Sequence, residues 1–319
     1  MYRTMNASEF EINAQSSDQC GLSAVLRLLD VEAHVYFNAK VCGNWRLTER
    51  LVGVTCFHVA TTGSFILDVP GVFHGALGAG DLVIFPRELP HSMVPAVPQE
   101  GPQRIVDFRL GREVEGTGLL CGEFRFAHRA SHHVLDALPE MFIVRFDPAN
   151  FWLRSLLDII IGENMNGGIA SGAILDKLSE LLFAYALRHY IATAPGGAGV
   201  LSLYANPRLA RSVSAMQAQP AHDWTLVELA RLSGMSRTSY ADAFRASSGW
   251  TPLQYLGWWR MQLAWSHLTR GETVAEVAAR VGYRSEAAFS RAFQRQFSQS
   301  AGHVRRHAAV APSPMPASG

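Results

Sequence analysis

The sequence predicts a multidomain α+β protein: an N-terminal β-barrel with a helical connector, then a C-terminal all-α domain with two helix-turn-helix units. Three observations predict this. Residues 31–126 consist of short runs rich in Val, Phe, Leu and Ile, punctuated by glycine. From residue 151 the apolar period becomes helical. One helical pattern then occurs twice after residue 220.

The elements follow in chain order. Residues 1–20 are polar and read as a disordered leader without the basic end and apolar core of a signal peptide. LSAVLRLLD (22–30) reads as a short helix opening the barrel domain, assigned to 21–150. The runs HVYFN, WRLTERLVGVTCFHVA, SFILDV, DLVIF and GLLCGEFRF are short strands with turn signals between them, as in a sandwich or barrel. A connector, 151–202, holds FWLRSLLDIIIG, a glycine-rich gap, and the helix 173–193. That helix places Ile174, Leu178, Leu181, Leu182, Tyr185 and Tyr190 along one stripe, which can pack on its own barrel. APGGAGV (194–200) is the clearest linker, 203–306 form the second domain, and 307–319 read as a disordered tail.

Charge divides at the same place. The chain of 319 residues carries 28 Lys+Arg and 27 Asp+Glu, a net of +1. Residues 204–319 hold 13 Arg, no Lys and six acids, a net of +7; residues 1–203 hold the other 15 basic and 21 acidic residues, a net of −6. Such a split points to an anionic polymer as partner of the C-terminal half alone. No apolar run approaches the ~20 residues that span a bilayer, so no membrane partner is expected and the location is cytoplasmic. Four cysteines, Cys20, Cys42, Cys56 and Cys121, are too few for a disulfide scaffold and serve as core fillers, metal ligands or redox thiols.

The repeat explains the basic half. WTLVELARLSGMSRTSYADAFRASSG (224–249) and ETVAEVAARVGYRSEAAFSRAFQRQFS (272–298) each hold a short helix ending in Ala-x-x-x-Gly, a tight turn, and a serine opening a second helix. Ser236 and Ser285 suit N-caps, and Gly234 and Gly282 suit the turn. Helical spacing turns Tyr240, Ala243 and Phe244 inward, and likewise Phe289, Ala292, Phe293 and Phe297. It leaves Arg237, Thr238, Ala241, Asp242 and Arg245 outside in the first copy, and Arg284, Glu286, Ala287, Ser290, Arg291 and Arg295 in the second. Arginines so placed can bond phosphate or read guanine, and the capped helix N-termini suit a phosphate. Thr251-Pro252 caps a connecting helix that runs to Gly271, about 28 Å at ~1.5 Å per residue. That length compares with the ~34 Å between successive major-groove faces of double-stranded DNA.

On these residues the segment 204–306 resembles the AraC/XylS-type DNA-binding domain of bacterial transcription regulators. The resemblance implies base-reading places at Thr238, Ala241 and Asp242, and at Glu286, Ala287, Ser290 and Arg291. It also implies RNA polymerase as a partner, pairing of the helix 173–193 with its mate in a homodimer, and activation rather than repression. One departure is Ser298-Gln299-Ser300-Ala301, where the family usually has Gly-x-Ser-Pro.

In the acidic half, Gly80-x5-Pro86-x4-His91 matches the second half-motif of cupin barrels, and Gly53-Val-Thr-Cys-Phe-His58 resembles a reduced first half-motif. A metal-binding cupin has His-x-His followed by Glu; here His58 stands alone and no glutamate follows in place. The stretch also resembles the cupin-like sensor domains of AraC-type regulators, including the reactive-chlorine-sensing subgroup, whose characteristic cysteines fall on Cys42 and Cys121. Strands of a small barrel can bring Cys42, His58, His91 and Cys121 together. Two thiolates and two imidazoles would suit zinc, and the same two thiols could be oxidised. Cys56 shares the strand face of His58 and is an alternative thiol. The histidine-rich HRASHH (128–133) reads as a loop surface.

The reading is a sequence-specific DNA-binding regulator, not an enzyme, whose cupin-like barrel senses oxidant or metal through Cys42/Cys121 near His58/His91. The alternatives are a regulator controlled by a small molecule in the barrel and, further off, a metal-dependent cupin enzyme.

Overall fold

The computed structural model describes residues 21–29, 31–49, 54–87, 89–108, 114–126, 135, 137–147, 151–193 and 199–308. The leader with Cys20, the HRASHH segment, residues 194–198 and the tail beyond 308 lie outside them. Contacts divide the described residues into a β-rich unit, within 31–193, and a helical unit, 21–29 with 199–308.

The β-rich unit holds strands β1 (Val31–Cys42), β2 (Leu47–Glu49), β3 (Thr55–Thr62), β4 (Ser64–Val69), β5 (Phe73–Gly78), β6 (Leu82–Phe85), β7 (His91–Pro95), β8 (Arg104–Val106), β9 (Thr117–Phe126) and β10 (Phe142–Val144). They form a six-stranded sheet, β10-β6-β3-β9-β1-β8, and a four-stranded sheet, β2-β7-β4-β5, with the pairings antiparallel. Burial explains the sequence texture. β4 alternates, with Phe65, Leu67 and Val69 turned inward. β3 is buried at seven of its eight positions, and β9 at its first six, because both of their faces are covered.

The inner faces of the two sheets share one core, which includes Trp45, Phe65, Leu67, Phe85, Met93 and Leu119. The other face of the large sheet meets the helix Ser171–Thr193, where Phe57 stacks on Phe124 at 4.7 Å and Phe124 meets Phe183 at 4.9 Å. Gly122 makes that stack fit: a Cβ there would lie 2.5 Å from the Phe57 ring. The half-motif has a local cause. Gly80 (φ +92°) turns the chain into β6, and Asp81 accepts from the N–H groups of Gly78 and Phe146. The Pro86 carbonyl accepts from the Thr55 hydroxyl at 2.8 Å, and His91 then opens β7.

Helix α1 is Gly21–Leu29, α2 is Phe151–Asn166 and α3 is Ser171–Thr193. In α3 the buried positions are Leu175, Ser179, Leu182, Phe183, Ala186, Leu187 and Ile191. The stripe expected from sequence lies beside this one: Ile174 and Leu181 are exposed, and only Leu182 among those six is buried. The helix is apolar on two adjoining faces, and the sheet takes the face one residue further on. Residues 22–29, read as the first helix of the barrel domain, lie in α1, which packs on α5 and α8 of the helical unit.

The helical unit continues with α4 (Ser202–Ala205), α5 (Pro207–Ala218), α6 (Leu226–Leu232), α7 (Arg237–Ser248), α8 (Pro252–Thr269), α9 (Val274–Arg280), α10 (Glu286–Phe297) and α11 (Ala301–Ala308). The repeat is matched bond for bond. Thr225 with Glu228 and Thr273 with Glu276 form capping boxes on α6 and α9. Ser236 accepts from the Ser239 N–H and Ser285 from the Ala288 N–H. Gly234 (φ +62°) and Gly282 (φ +84°) make the two turns. Tyr240 and Phe244 fill one lobe, and Phe289, Phe293 and Phe297 the other. Ser298 closes α10 in the left-handed conformation at φ +56°, where glycine would have no steric cost.

The two turn glycines differ in one respect. A Cβ at Gly282 would lie 2.7 Å from the Ala221 backbone, whereas none of the atoms around Gly234 comes within 4 Å of one. Gly234→Ala should cost the ~1–2 kcal/mol of a left-handed alanine, and Gly282→Ala clearly more. Urea unfolding of the two variants checks the order.

Candidate functional site

Chemistry gathers first inside the barrel. Residues opposite each other on antiparallel strands share a face. In the β3–β9 register Cys56 faces Glu123, His58 faces Cys121, and Ala60 faces Leu119. In the β3–β6 register Cys56 faces Phe85 and His58 faces Val83. Cys56, Ala60, Val83, Phe85, Leu119 and Cys121 all belong to the interior core, so His58 projects into it too. His91 enters from the other sheet. Its Nε2 lies 2.8 Å from Nε2 of His58, and its ring stacks on Phe85 at 4.4 Å.

A carbonyl only accepts, so the 2.7 Å contact between His91 Nδ1 and the Leu89 carbonyl puts a proton on Nδ1. The Nε2 of neutral His91 is then a lone pair, and His58 Nε2–H donates to it. His58 Nδ1 is left as a buried atom with no hydrogen-bond partner. Burial holds the His58 pKa well below its ordinary 6.5, with a further push from His91. Burial also lowers that of His91, against the Leu89 bond, which raises it. Both imidazoles are therefore neutral near pH 7.

Among the described residues, Cys56, His58 and His91 form the one group whose donor atoms could share a metal ion; these atoms lie within 4.8 Å of one another. The donors fit an ion that accepts sulfur and imidazole nitrogen. Glu123, opposite Cys56, is ion-paired with Arg125. Of the four residues expected from sequence to meet, the structure brings His58 and His91 together and sets Cys121 beside them. It does not bring Cys42. Cys121 pairs with Phe37 on β1, five residues from Cys42, which at ~3.3 Å per residue is about 16 Å along the strand. Cys42 instead pairs with Arg104 on β8, and its sulfur lies against Gly116. Cys56 was visible in sequence only as a thiol two residues before His58; its place beside His91 needed the tertiary structure.

The second site is the surface of α7 and α10. Ser236, Arg237, Thr238, Asp242 and Arg245 are exposed, and Ala241 is half-buried. Arg284, Ser285, Glu286, Ala287, Arg291 and Arg295 are exposed, and Ser290 is half-buried. Both cap serines accept a backbone N–H, which leaves each O–H able to donate to a phosphate. Arg284 is held by Asp223 at 2.8 Å, both largely exposed. Arg295 also borders a cavity of about 430 Å³ between α8 and α10, lined by Trp250, Trp258 and Tyr283 among others.

Comparison with known proteins adds the following. Residues 21–192 match the family described as Cupin, and residues 229–307 that described as Helix-turn-helix domain. The RCS-specific HTH-type transcriptional activator RclR of Escherichia coli is 30% identical over 89% of this chain and 96% of its own length. An AraC-like transcription regulator of Streptomyces lividans is 31% identical over 90% of this chain and 98% of its own. The DNA-binding domain of AdpA, solved in complex with a target DNA, is 30% identical over 33% of this chain and 95% of that one, with a TM-score of 0.31.

For the metal-free protein the histidine pair has a thermodynamic consequence. Folded pKa values below 6.5 mean that the unfolded chain takes up protons first as the pH falls. Stability is then full above about pH 6.5 and declines below it, by up to ~1.4 kcal/mol per pH unit for each histidine. Urea unfolding of the β-rich unit between about pH 7 and about pH 5 should show this slope, and His58→Gln should flatten it.

Proposed function

The chain belongs to the AraC-type transcription regulators that carry an N-terminal cupin domain, and from that premise we propose that its barrel receives an oxidant or metal signal through thiols and imidazoles. DNA binding and regulation, rather than catalysis, come with the family, whose relatives here are named as transcriptional regulators. The sensing reading rests on one observation: Cys56, His58, His91 and Cys121 project into a single buried apolar interior. A thiolate there reacts with hypochlorous acid to give a sulfenic acid, with chloride leaving. The name of the Escherichia coli relative, which specifies RCS and activation, supports that chemistry and an activating role.

Cys42 and Cys121 act separately in this reading. About 16 Å of strand between them exceeds the ~4.4–6.8 Å that a disulfide spans between Cα atoms. The large side chains in the interior, Trp45, Phe65, Phe85 and Met93, favour thiol chemistry over a small-molecule effector held there. Exposed Ile174 and Leu181 on α3 give a homodimer an apolar contact face. No described helix is long and apolar enough to cross a membrane. We place the regulator in the cytoplasm, with double-stranded DNA and RNA polymerase as partners.

At the DNA, Arg237→Ala and Arg295→Ala should each lower the slope of log affinity against log salt by up to ~0.9, the value of one phosphate contact. Filter binding from low to moderate salt measures it, and affinity indifferent to salt would refute the interface. At the barrel, Cys121→Ser should abolish the transcriptional response to hypochlorite while DNA affinity in its absence is kept. A full response in both the Cys42→Ser and the Cys121→Ser variant would refute oxidant sensing by these thiols.

A further inference from the structure

We infer that the barrel interior binds one thiophilic metal ion, Zn²⁺ or Cu⁺, on Cys56 Sγ, His58 Nε2 and His91 Nε2. The inference deepens the reading of the barrel as the signal-receiving domain, but occupancy of the site does not depend on what the signal does.

Three features carry it. The donors converge: each side chain is at most 3% exposed, they come from two sheets, and their atoms lie within 4.8 Å of one another. They are also preset. The Leu89 carbonyl fixes the proton of His91 on Nδ1, so its Nε2 lone pair faces the cluster. Such a carbonyl bond to the far nitrogen is the usual support of a metal-bound histidine. Finally, the set is selective. One sulfur and two imidazoles with no carboxylate suit zinc or copper and disfavour the oxygen-seeking Mg²⁺ and Mn²⁺. Cys56-Phe57-His58 keeps the spacing of the His-x-His pair of metal-binding cupins but puts sulfur in place of the first nitrogen.

The protons balance. Cys56 releases its thiol proton to solvent as the sulfur–metal bond forms. His58 must free Nε2, so its proton passes to Nδ1, the buried nitrogen that lacks a partner. Both imidazoles stay neutral, and one proton leaves per ion. Three protein ligands leave a further position open, with Cys121 across the strand pair from His58.

The test uses the full chain, stripped with chelator and loaded separately with Zn²⁺, Cu⁺ or Mn²⁺. We expect one equivalent of Zn²⁺ or Cu⁺ after gel filtration and none of Mn²⁺. Co²⁺ should give a thiolate-to-metal charge-transfer band, and one proton should be released per Zn²⁺. Cys56→Ser should abolish the band and lower Zn²⁺ affinity by more than ~100-fold, above the 10–100-fold typical of losing a supporting partner. Cys42→Ser should change neither. Peptide mapping after alkylation of the wild type should show Cys56 protected by the ion, a result that needs no variant to fold. Absence of Zn²⁺ and Cu⁺ from the loaded wild type, or an unchanged affinity in Cys56→Ser, overturns the site. A filled site whose ion leaves DNA binding unaltered upholds the site and refutes metal, as distinct from oxidant, as the signal.

Discussion

The helical unit depends on one constraint: α8 is buried along its whole length. Tyr255, Leu256, Trp258 and Trp259 form a wall of the first lobe, and Met261, Ala264 and Leu268 a wall of the second. Tyr255 meets Phe244 at 6.0 Å, and Trp265 stacks parallel to Phe293 at 5.9 Å. The buried Tyr255 hydroxyl is satisfied by Tyr204 and Gln217. A helix that belongs to both cores cannot shift against one without disturbing the other. Its 18 residues make a spacer of about 27 Å. α7 and α10, each anchored by aromatic residues, are therefore presented as a fixed pair.

In the β-rich unit the corresponding constraint is the register of β9 between β1 and β3. The alternation of a strand assigns every side chain on β9 to one of two faces. One face receives Leu119 and Cys121 with Cys56 and His58; the other receives Phe124, which Phe57 and Phe183 cover. The same register puts Cys121 opposite Phe37 and leaves Cys42 at the far end of β1. A slip by one residue would exchange the faces and expel the thiol from the interior. The His58–His91 contact then joins the two sheets through a bond that is polar yet carries no charge. This is how a dry core tolerates it.

What was legible in the sequence follows from how local each feature is. Turn chemistry is local, so Ser236, Ser285, Gly234, Gly282 and the Thr251-Pro252 pair were readable, as were the inward aromatics of α7 and α10. The half-motif Gly80–Pro86–His91 was readable because its turn, its strand end and its histidine lie close in the chain. Which cysteine meets the histidines is not local. It depends on a strand register and on a second sheet, and spacing along the chain does not encode either. The face of α3 that the sheet covers is not local either. Its apolar residues cover two adjoining faces, and only the docked sheet decides between Ile174/Leu181 and Leu175/Leu182.

The chain reads DNA, on this account, with two helices set by one shared helix of about 27 Å. Hydroxyl-radical footprinting with guanine-methylation interference on a bound promoter fragment tests that most directly. Two protected major-groove faces centred about 10 base pairs apart on one side of the duplex are predicted. A single protected groove, or two at a spacing that puts them on opposite sides of the duplex, would contradict it.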